Sequence, residues 1–295
     1  RKIFKLYSQA IIRYNKKRTR LGAFRMNYLI LGSSGQVGSS LVDFLKSKGE
    51  NVLEFDLING CHQDLRIEGA VNYAIEISDF VFFLAFDVGG SRYLSKYQHN
   101  FEFIDNNTAL QLYAFRQLKK HKKPFIYASS QMSSMSFSPY GSCKSLGEAF
   151  TKSLNGLIVK FWNVYGLEHD SEKFHVVTDF INKARNKNEI NMLTSGEEER
   201  QFLYSEDCSE CLYNLSKLYD EIPRDENLHV TSFKWTRILD IANIISSHFE
   251  NCPVNPSKNS DLVQMGVRNE PNKAILKYWQ PKTGIEKGIK NIINS

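Results

Sequence analysis

A chain of 295 residues, 42% of them hydrophobic, is long enough to bury a full core as one large α/β unit or as two lobes sharing a cleft. Nine of its 38 Lys and Arg fall within residues 1–25, which hold no acid, so the net charge of +6 leaves 29 basic against 32 acidic residues in the remainder. A mildly acidic body excludes a nucleic-acid footprint, and no apolar stretch has the length of a membrane span.

In chain order, residues 1–25 come first. Their cations are interleaved with Ile3, Phe4, Leu6, Tyr7, Ile11 and Ile12. The stretch reads as an upstream extension or a neighbouring domain's tail, alternatively as an amphipathic helix for an anionic surface, and not as a secretory leader. At Met26 the pattern changes. Residues 28–31 form an apolar run that predicts a buried strand, broken at Gly32-x-x-Gly35-x-x-Gly38 and followed by Val37, Leu41, Val42, Phe44 and Leu45 at helical spacing. Strand, glycine turn and helix make a dinucleotide cradle. Gly32 permits the tight turn, Gly35 lets phosphates approach the backbone, and Gly38 lets helix pack on strand. Gln36 and Val37 open the helix, whose positive end faces a pyrophosphate. A second strand, 51–56, closes on Asp56, 18 residues past Gly38. A carboxylate there accepts hydrogen bonds from the adenosine ribose hydroxyls and repels a 2′-phosphate, which favours NAD over NADP.

Residues 78–85 are nearly continuous in apolar side chains, as a parallel strand covered on both faces requires, and run into the glycine loop Phe86-Asp-Val-Gly89-Gly90. A helix is predicted over 106–120, a strand over 124–128 ending in Ser129-Ser130, a helix over 140–154 and a strand over 156–162. This alternation predicts a doubly wound parallel sheet of the Rossmann type over 26–162, with ligands at the carboxyl ends of its strands. Beyond 163 the alternation loosens. Helices over 174–186, 207–220, 235–249 and 284–293, with a strand over 189–193 and a loop over 251–272, predict a smaller α/β substrate-binding lobe at 163–295. Cys208-x-x-Cys211 has no second ligand pair, so no metal is expected. The five cysteines, odd in number and scattered, suit reduced thiols in a cytoplasm.

Tyr140-Gly-Ser-Cys-Lys144 puts a phenol and an ammonium one helical turn apart on the same face. A phenol of pKa about 10 is a poor base at neutral pH, and the Lys144 ammonium alongside, with the positive nicotinamide of NAD⁺, favours its ionised form. It can then take the proton of a substrate hydroxyl as hydride leaves the same carbon, while Ser130 hydrogen-bonds the same oxygen.

These residues resemble the extended short-chain dehydrogenase/reductases, specifically the NAD-dependent epimerase/dehydratase family acting on nucleotide sugars, over about residues 26–290. The likeness rests on the glycine turn, Asp56, Asp64-Leu65, Ser129-Ser130, Tyr140-x-x-x-Lys144, Phe161-Trp-Asn163-Val-Tyr165-Gly166, Arg200-Gln-Phe-Leu-Tyr-Ser-Glu-Asp207 and Trp279-Gln-Pro-Lys282. It implies that Asp64 and Leu65 border the adenine and that Ala85 lies along the cofactor. Asn106 would help hold the catalytic loop, and Lys144 would bond the nicotinamide ribose. Asn163 and Arg200 would contact the nucleotide diphosphate of the substrate, the latter through forked donors suited to two oxygens at once. Pairing of two copies through a two-helix face is also implied.

The departures narrow the chemistry. Gln131-Met132 stand where the 4,6-dehydratases of the family carry Asp-Glu, which argues against water elimination, and Gln131 cannot serve epimerisation at C3 and C5. Ser134 and Met135 follow where a tyrosine is frequent. His175 sits where some reductase/epimerases place an acid, and is expected as that acid or as a substrate contact. The second diphosphate arginine is missing at its usual offset, with Lys258 or Arg268 as substitutes. The expected function is NAD-dependent epimerisation of a nucleotide sugar at C4. The alternatives are a 4-keto reductase or dehydrogenase, and a catalytically idle NAD(H)-binding protein.

Overall fold

The computed structural model describes residues 25–261, 263–264 and 266–295; the reading of the basic stretch 1–25 falls, Arg25 apart, outside them. β1 (Asn27–Leu31) bonds in parallel to both β2 (Asn51–Phe55) and β3 (Phe80–Phe83), with Leu29 level with Leu53 and Val81. β3 also pairs in parallel with β4 (Phe125–Ser130), and β4 with β5 (Leu157–Phe161). Next come β6 (Asn163–Tyr165), β7 (Ile190–Asn191), β8 (Glu199–Tyr204) and β9 (Leu228–Val230). β9 returns to pair with β5, so the large parallel sheet has the order β2-β1-β3-β4-β5-β9. β10 (Trp235–Arg237) runs antiparallel to β8, and β11 (Val254–Asn255) parallel to β7.

The period of two along each strand sends alternate side chains to opposite faces of the sheet. Tyr28, Ile30, Phe80, Phe82, Ile126 and Val159 meet Leu41 and Leu45 of α1 (Gln36–Ser47). On the other face, Leu29, Leu31, Val81, Phe83 and Tyr127 meet Ile75 of α2 (Asn72–Ile77). Past the short α3 (Ser91–Tyr97), Leu110, Phe115 and Leu118 of α4 (Phe101–His121) and Phe150 of α5 (Pro139–Ser153) complete that layer. The doubly wound sheet is therefore as expected. A second, smaller core gathers Phe180 and Ile181 of α6 (Val176–Lys187). After α7 (Ser205–Lys217), it is joined by Ile241 and Ile245 of α8 (Ile238–Ser246) and by Ile289 and Ile292 of α9 (Ile285–Asn294).

The stretch 251–272, expected as loop, contains β11, and α2, α3 and β8 are not among the predicted elements; three further differences bear on the site. α4 starts at Phe101 rather than 106, because Phe103 is buried on the same face as Leu110 and extends the apolar stripe by a turn. Trp235–Arg237 is a strand paired to β8, and its helix begins only at Ile238. The chain beyond 163 also returns to the first sheet: Leu228–Val230 supplies its sixth strand, and Leu212 and Leu215 of α7 cover the face beside α1.

Candidate active site

The strand order reverses between β1 and β3, and a cleft of about 830 Å³ opens there at the carboxyl ends of the strands. Its floor is the glycine turn. Gly32 has φ +86°, and a side chain there would meet the Ala85 backbone at 2.7 Å; at Gly38 it would meet the Gly32 carbonyl at 2.0 Å. Gly35 is different: its only close neighbour is the Gly32 carbonyl at 3.5 Å, so the space above it belongs to the cleft. α1 begins at Gln36 with no side chain capping it, which leaves its first N–H groups for an anion. With its amide turned so that donors meet acceptors, Gln36 links the start of α1 to β6, donating to the Val164 carbonyl (3.1 Å) and accepting from Gly166 N–H (3.2 Å). Asp56 stands at the tip of β2 and accepts from Ser34 N–H (3.0 Å) through one oxygen and from Ile58 N–H (3.2 Å) through the other. Each oxygen keeps lone-pair capacity toward a ribose. These residues fit a bound dinucleotide: open space over Gly35, uncapped helix donors and a fixed carboxylate lie along one wall.

Further along, Asp64, Leu65, Ala85 and Asn106 line the cleft. Asp64 is gripped by Arg66, Nε to Oδ1 at 2.9 Å and Nη2 to Oδ2 at 2.8 Å, and those bonds hold its carboxyl below the usual range. The loop after β3 is held by Asn107 as well as by the expected Asn106, which bonds the Asp87 side chain. Asn107 Oδ1 accepts from Asp87 N–H (2.8 Å) and its Nδ2 donates to the Asp87 carbonyl (3.0 Å), while Asn106 accepts from Arg66 (3.1 Å). Asn107 faces inward with Phe103 and Leu110, and a fully buried amide on an apolar stripe is the signal that identifies it.

Tyr140 and Lys144 stand in the first turns of α5, with Ser130 at the end of β4, and all three line the cleft. Lys144 Nζ donates to the Ala128 carbonyl (2.7 Å) and lies 3.8 Å from the Phe86 ring centroid, against 5.9 Å from that of Tyr140. Burial pushes the Lys144 ammonium down to about 7, opposed by the neighbouring Cys143 and Glu148. Burial pushes the Tyr140 phenol up to about 12, opposed by its hydrogen bond with Ser130. Within the protein alone burial is the larger influence on the phenol; the lowering expected at Tyr140 draws on Lys144 and an oxidised nicotinamide together. Ser130 Oγ accepts from Met132 N–H (3.1 Å), which turns its proton away from its own turn.

On the substrate side, Asn163 and His175 also line the cleft. His175 Nδ1 lies 2.6 Å from Glu168 Oε1, and its backbone N–H donates to the other oxygen (2.9 Å). Glu168 escaped the sequence reading because nothing in a loop codes for that pairing. Asp87 accepts from Tyr93 (2.7 Å) and Lys173 (2.9 Å). Burial raises its carboxyl, but these bonds outweigh burial and hold it low. Arg200 is the one predicted site residue that does not line the cleft. Its guanidinium is paired with Asp261, two residues before Val263, which does line it. Arg268 is bound to Glu199 (2.6 Å) and stacked on Trp235 (3.9 Å to the ring centroid), while Lys258 is exposed.

Residues 28–230 match the NAD dependent epimerase/dehydratase family. A curated relative, the GDP-L-fucose synthase of Sinorhizobium fredii (strain NBRC 101917 / NGR234), is 29% identical over 147 residues, which is 43% of this chain and 42% of that protein. The chain thus spans under half the length of that relative. Among solved structures, an epimerase of Methanothermobacter thermautotrophicus superposes with TM-score 0.81 at 19% identity, over 92% of this chain and 91% of the other. UDP-glucose 4-epimerase of Thermotoga maritima, solved with UDP-glucose, gives TM-score 0.74 at 19% identity over 91% and 98%. At these identities the two structures establish the shared fold.

Proposed function

The chain belongs to the NAD-dependent epimerase/dehydratase family, and from that premise we propose that it epimerises a nucleotide sugar by oxidising and re-reducing C4. The observation that carries this reading is the meeting of Ser130, Tyr140 and Lys144 in one cleft with the glycine turn and Asp56, while Gln131 and Met132 offer no acid or base for elimination. Bound NAD supplies the acceptor and donor of hydride. The proton work falls to the chain. Ser130 donates to the sugar oxygen and fixes it, and the Tyr140 oxygen takes the C4 hydroxyl proton as hydride leaves that carbon. Burial raises the phenol, and the positive charge that bound NAD would bring, with a protonated Lys144, would favour its ionised form. The keto sugar turns over, hydride returns to the opposite face, and Tyr140 gives the proton back. No proton or electron is consumed overall.

Asp56 favours NAD over NADP in this reading, and Asp64, Leu65, Ala85 and Asn106 border the cofactor. Residues 26–162 chiefly hold the cofactor and 163–295 the substrate, with Asn163 and His175 as contacts. Arg200 takes the diphosphate only on leaving Asp261. Two copies pair through α4 and α5, and the five free thiols suit a cytoplasm.

A second reading, a 4-keto reductase, draws on the resemblance to GDP-L-fucose synthase and on the His175–Glu168 pair, which places a proton-bearing imidazole in the same cleft. Incubation with UDP-, GDP- and dTDP-sugars, following NADH absorbance and product stereochemistry, separates the readings. Epimerisation inverts C4 without net NADH, a reductase consumes NADH stoichiometrically, and an idle binder does neither.

A further inference from the structure

Behind the reacting residues lies a largely buried polar cluster whose only role so far is the effect of Glu148 on Lys144. Glu148 follows Lys144 by one turn of α5 and projects onto the tips of β4 and β5. Its Oε1 accepts from Ser129 Oγ (2.5 Å) and pairs with Lys160 Nζ (3.1 Å), and Lys160 also donates to Ser133 Oγ (3.0 Å). Ser129 and Lys160 are register partners across β4 and β5, one rung before Ser130 and Phe161. Lys160 is in turn the register partner of His229 on β9, whose Nδ1 accepts from the indole of Trp162 (3.1 Å), a residue of the cleft wall.

Three adjacent strands thus carry a polar row where the rest of this face is apolar. Taking a carboxylate and an ammonium out of water costs about as much as their attraction returns, so an apolar pair would serve stability as well. What the ion pair adds is geometry. Ser133 belongs to the single turn Gln131–Ser134, and that turn supplies the Met132 N–H that aims the Ser130 hydroxyl. Besides the close approach of Gly141 to the Met132 carbonyl, Lys160 is a side-chain tie between this turn and α5, the helix that carries Tyr140.

We propose that the Glu148–Lys160 pair positions the Ser130 hydroxyl, by fastening the turn after β4 to the helix that bears Tyr140. Both are positioning residues, acting through Ser130 and not on the substrate. The kinetic arm of the test rests on the epimerase reading; the crystallographic arm does not.

Lys160→Met and Ser130→Ala are compared singly and together for kcat, KM and NAD affinity. Lys160→Met is expected to lower kcat about 10- to 100-fold, the cost of a small misplacement of a reacting group, with KM and NAD affinity within about twofold. The double variant is expected to be no slower than Ser130→Ala alone, and Lys160→Arg to restore most of the rate. Losses that multiply in the double variant, or an unchanged kcat in Lys160→Met, overturn the proposal. Should Lys160→Met fail to fold, Ser133→Ala cuts only the tie to the turn and is held to the same pattern. Crystal structures of Lys160→Met or Ser133→Ala and wild type decide the matter without turnover: a displaced turn and Ser130 Oγ support the proposal, and superposable ones refute it. A wild type inactive on every nucleotide sugar defeats the epimerase reading alone.

Discussion

Tyr140 and Lys144 illustrate how far a side chain's chemistry depends on what surrounds it. Tyr140→Phe removes the proposed proton acceptor and keeps the ring against Phe86 (5.5 Å between centroids), so turnover should fall on the order of 10² or more while NAD binding holds. Steady-state rates beside a fluorescence titration with NADH check both halves. Asp56→Asn keeps an acceptor for the Ser34 or Ile58 N–H but loses the charge that repels a 2′-phosphate. The NADP/NAD affinity ratio should rise about tenfold, or about 1.4 kcal/mol; an unmoved ratio would remove Asp56 from cofactor choice. Lys144 carries a pH signature. Its folded pKa, lowered to about 7, means that the folded chain holds fewer protons than the unfolded one between there and the ordinary lysine value. Charged Lys144 therefore weakens the fold at and below neutral pH, and the penalty fades as pH rises. The urea midpoint of wild type, relative to Lys144→Met, should climb from pH 6 to pH 9. A flat difference would show that Lys144 is not desolvated.

Among the elements, α5 carries Tyr140 and Lys144 of the proposed site, and Gly147 decides where α5 sits. A methyl group at Gly147 would meet the Tyr127 hydroxyl at 2.1 Å and Gln111 Oε1 at 2.2 Å, two groups that hydrogen-bond each other at 3.0 Å. Neither is a free end: Tyr127 is fully buried, and Gln111 also donates to the Asn107 and Cys143 carbonyls. Gly147→Ala should therefore push α5 off the sheet, costing about 1–3 kcal/mol in urea unfolding and lowering kcat with the displaced Tyr140. Equal stability and rate would mean that the helix does not depend on this close approach. Elements with a strong period were legible from residues alone, as β1, α1 and α5 show. β9 was not: three residues between a polar turn and an irregular segment carry no period, and only the open edge of β5 makes them a strand. Trp235–Arg237 is the same case, a strand by virtue of its partner β8.

For the molecule as a whole, the reversal of strand order between β1 and β3 gathers segments from both halves of the chain around one cleft. α4 and α5 lie side by side on the outer layer, joined by stacked Phe115 and Phe150 (5.2 Å), with Phe101, Ile104 and Leu146 exposed. Light scattering should give twice the chain mass, and Ile104→Glu with Leu146→Glu should return it to the single-chain value. An unaltered dimer would place the interface elsewhere.

What the amino-acid order determined unaided were the features written in local spacing: the glycine turn, the acid at the end of the next strand, the phenol and ammonium one turn apart, and the alternation that makes a doubly wound sheet. Each depends on neighbours a few residues away, so each survives without a fold. Tertiary structure alone decided the rest: that Asn107 also holds the loop after β3, that Arg200 is given to Asp261, that Glu168 faces His175, and that burial raises the Tyr140 phenol. Those outcomes turn on which distant group arrives within hydrogen-bonding reach and on how much water is left. Neither quantity has a local code.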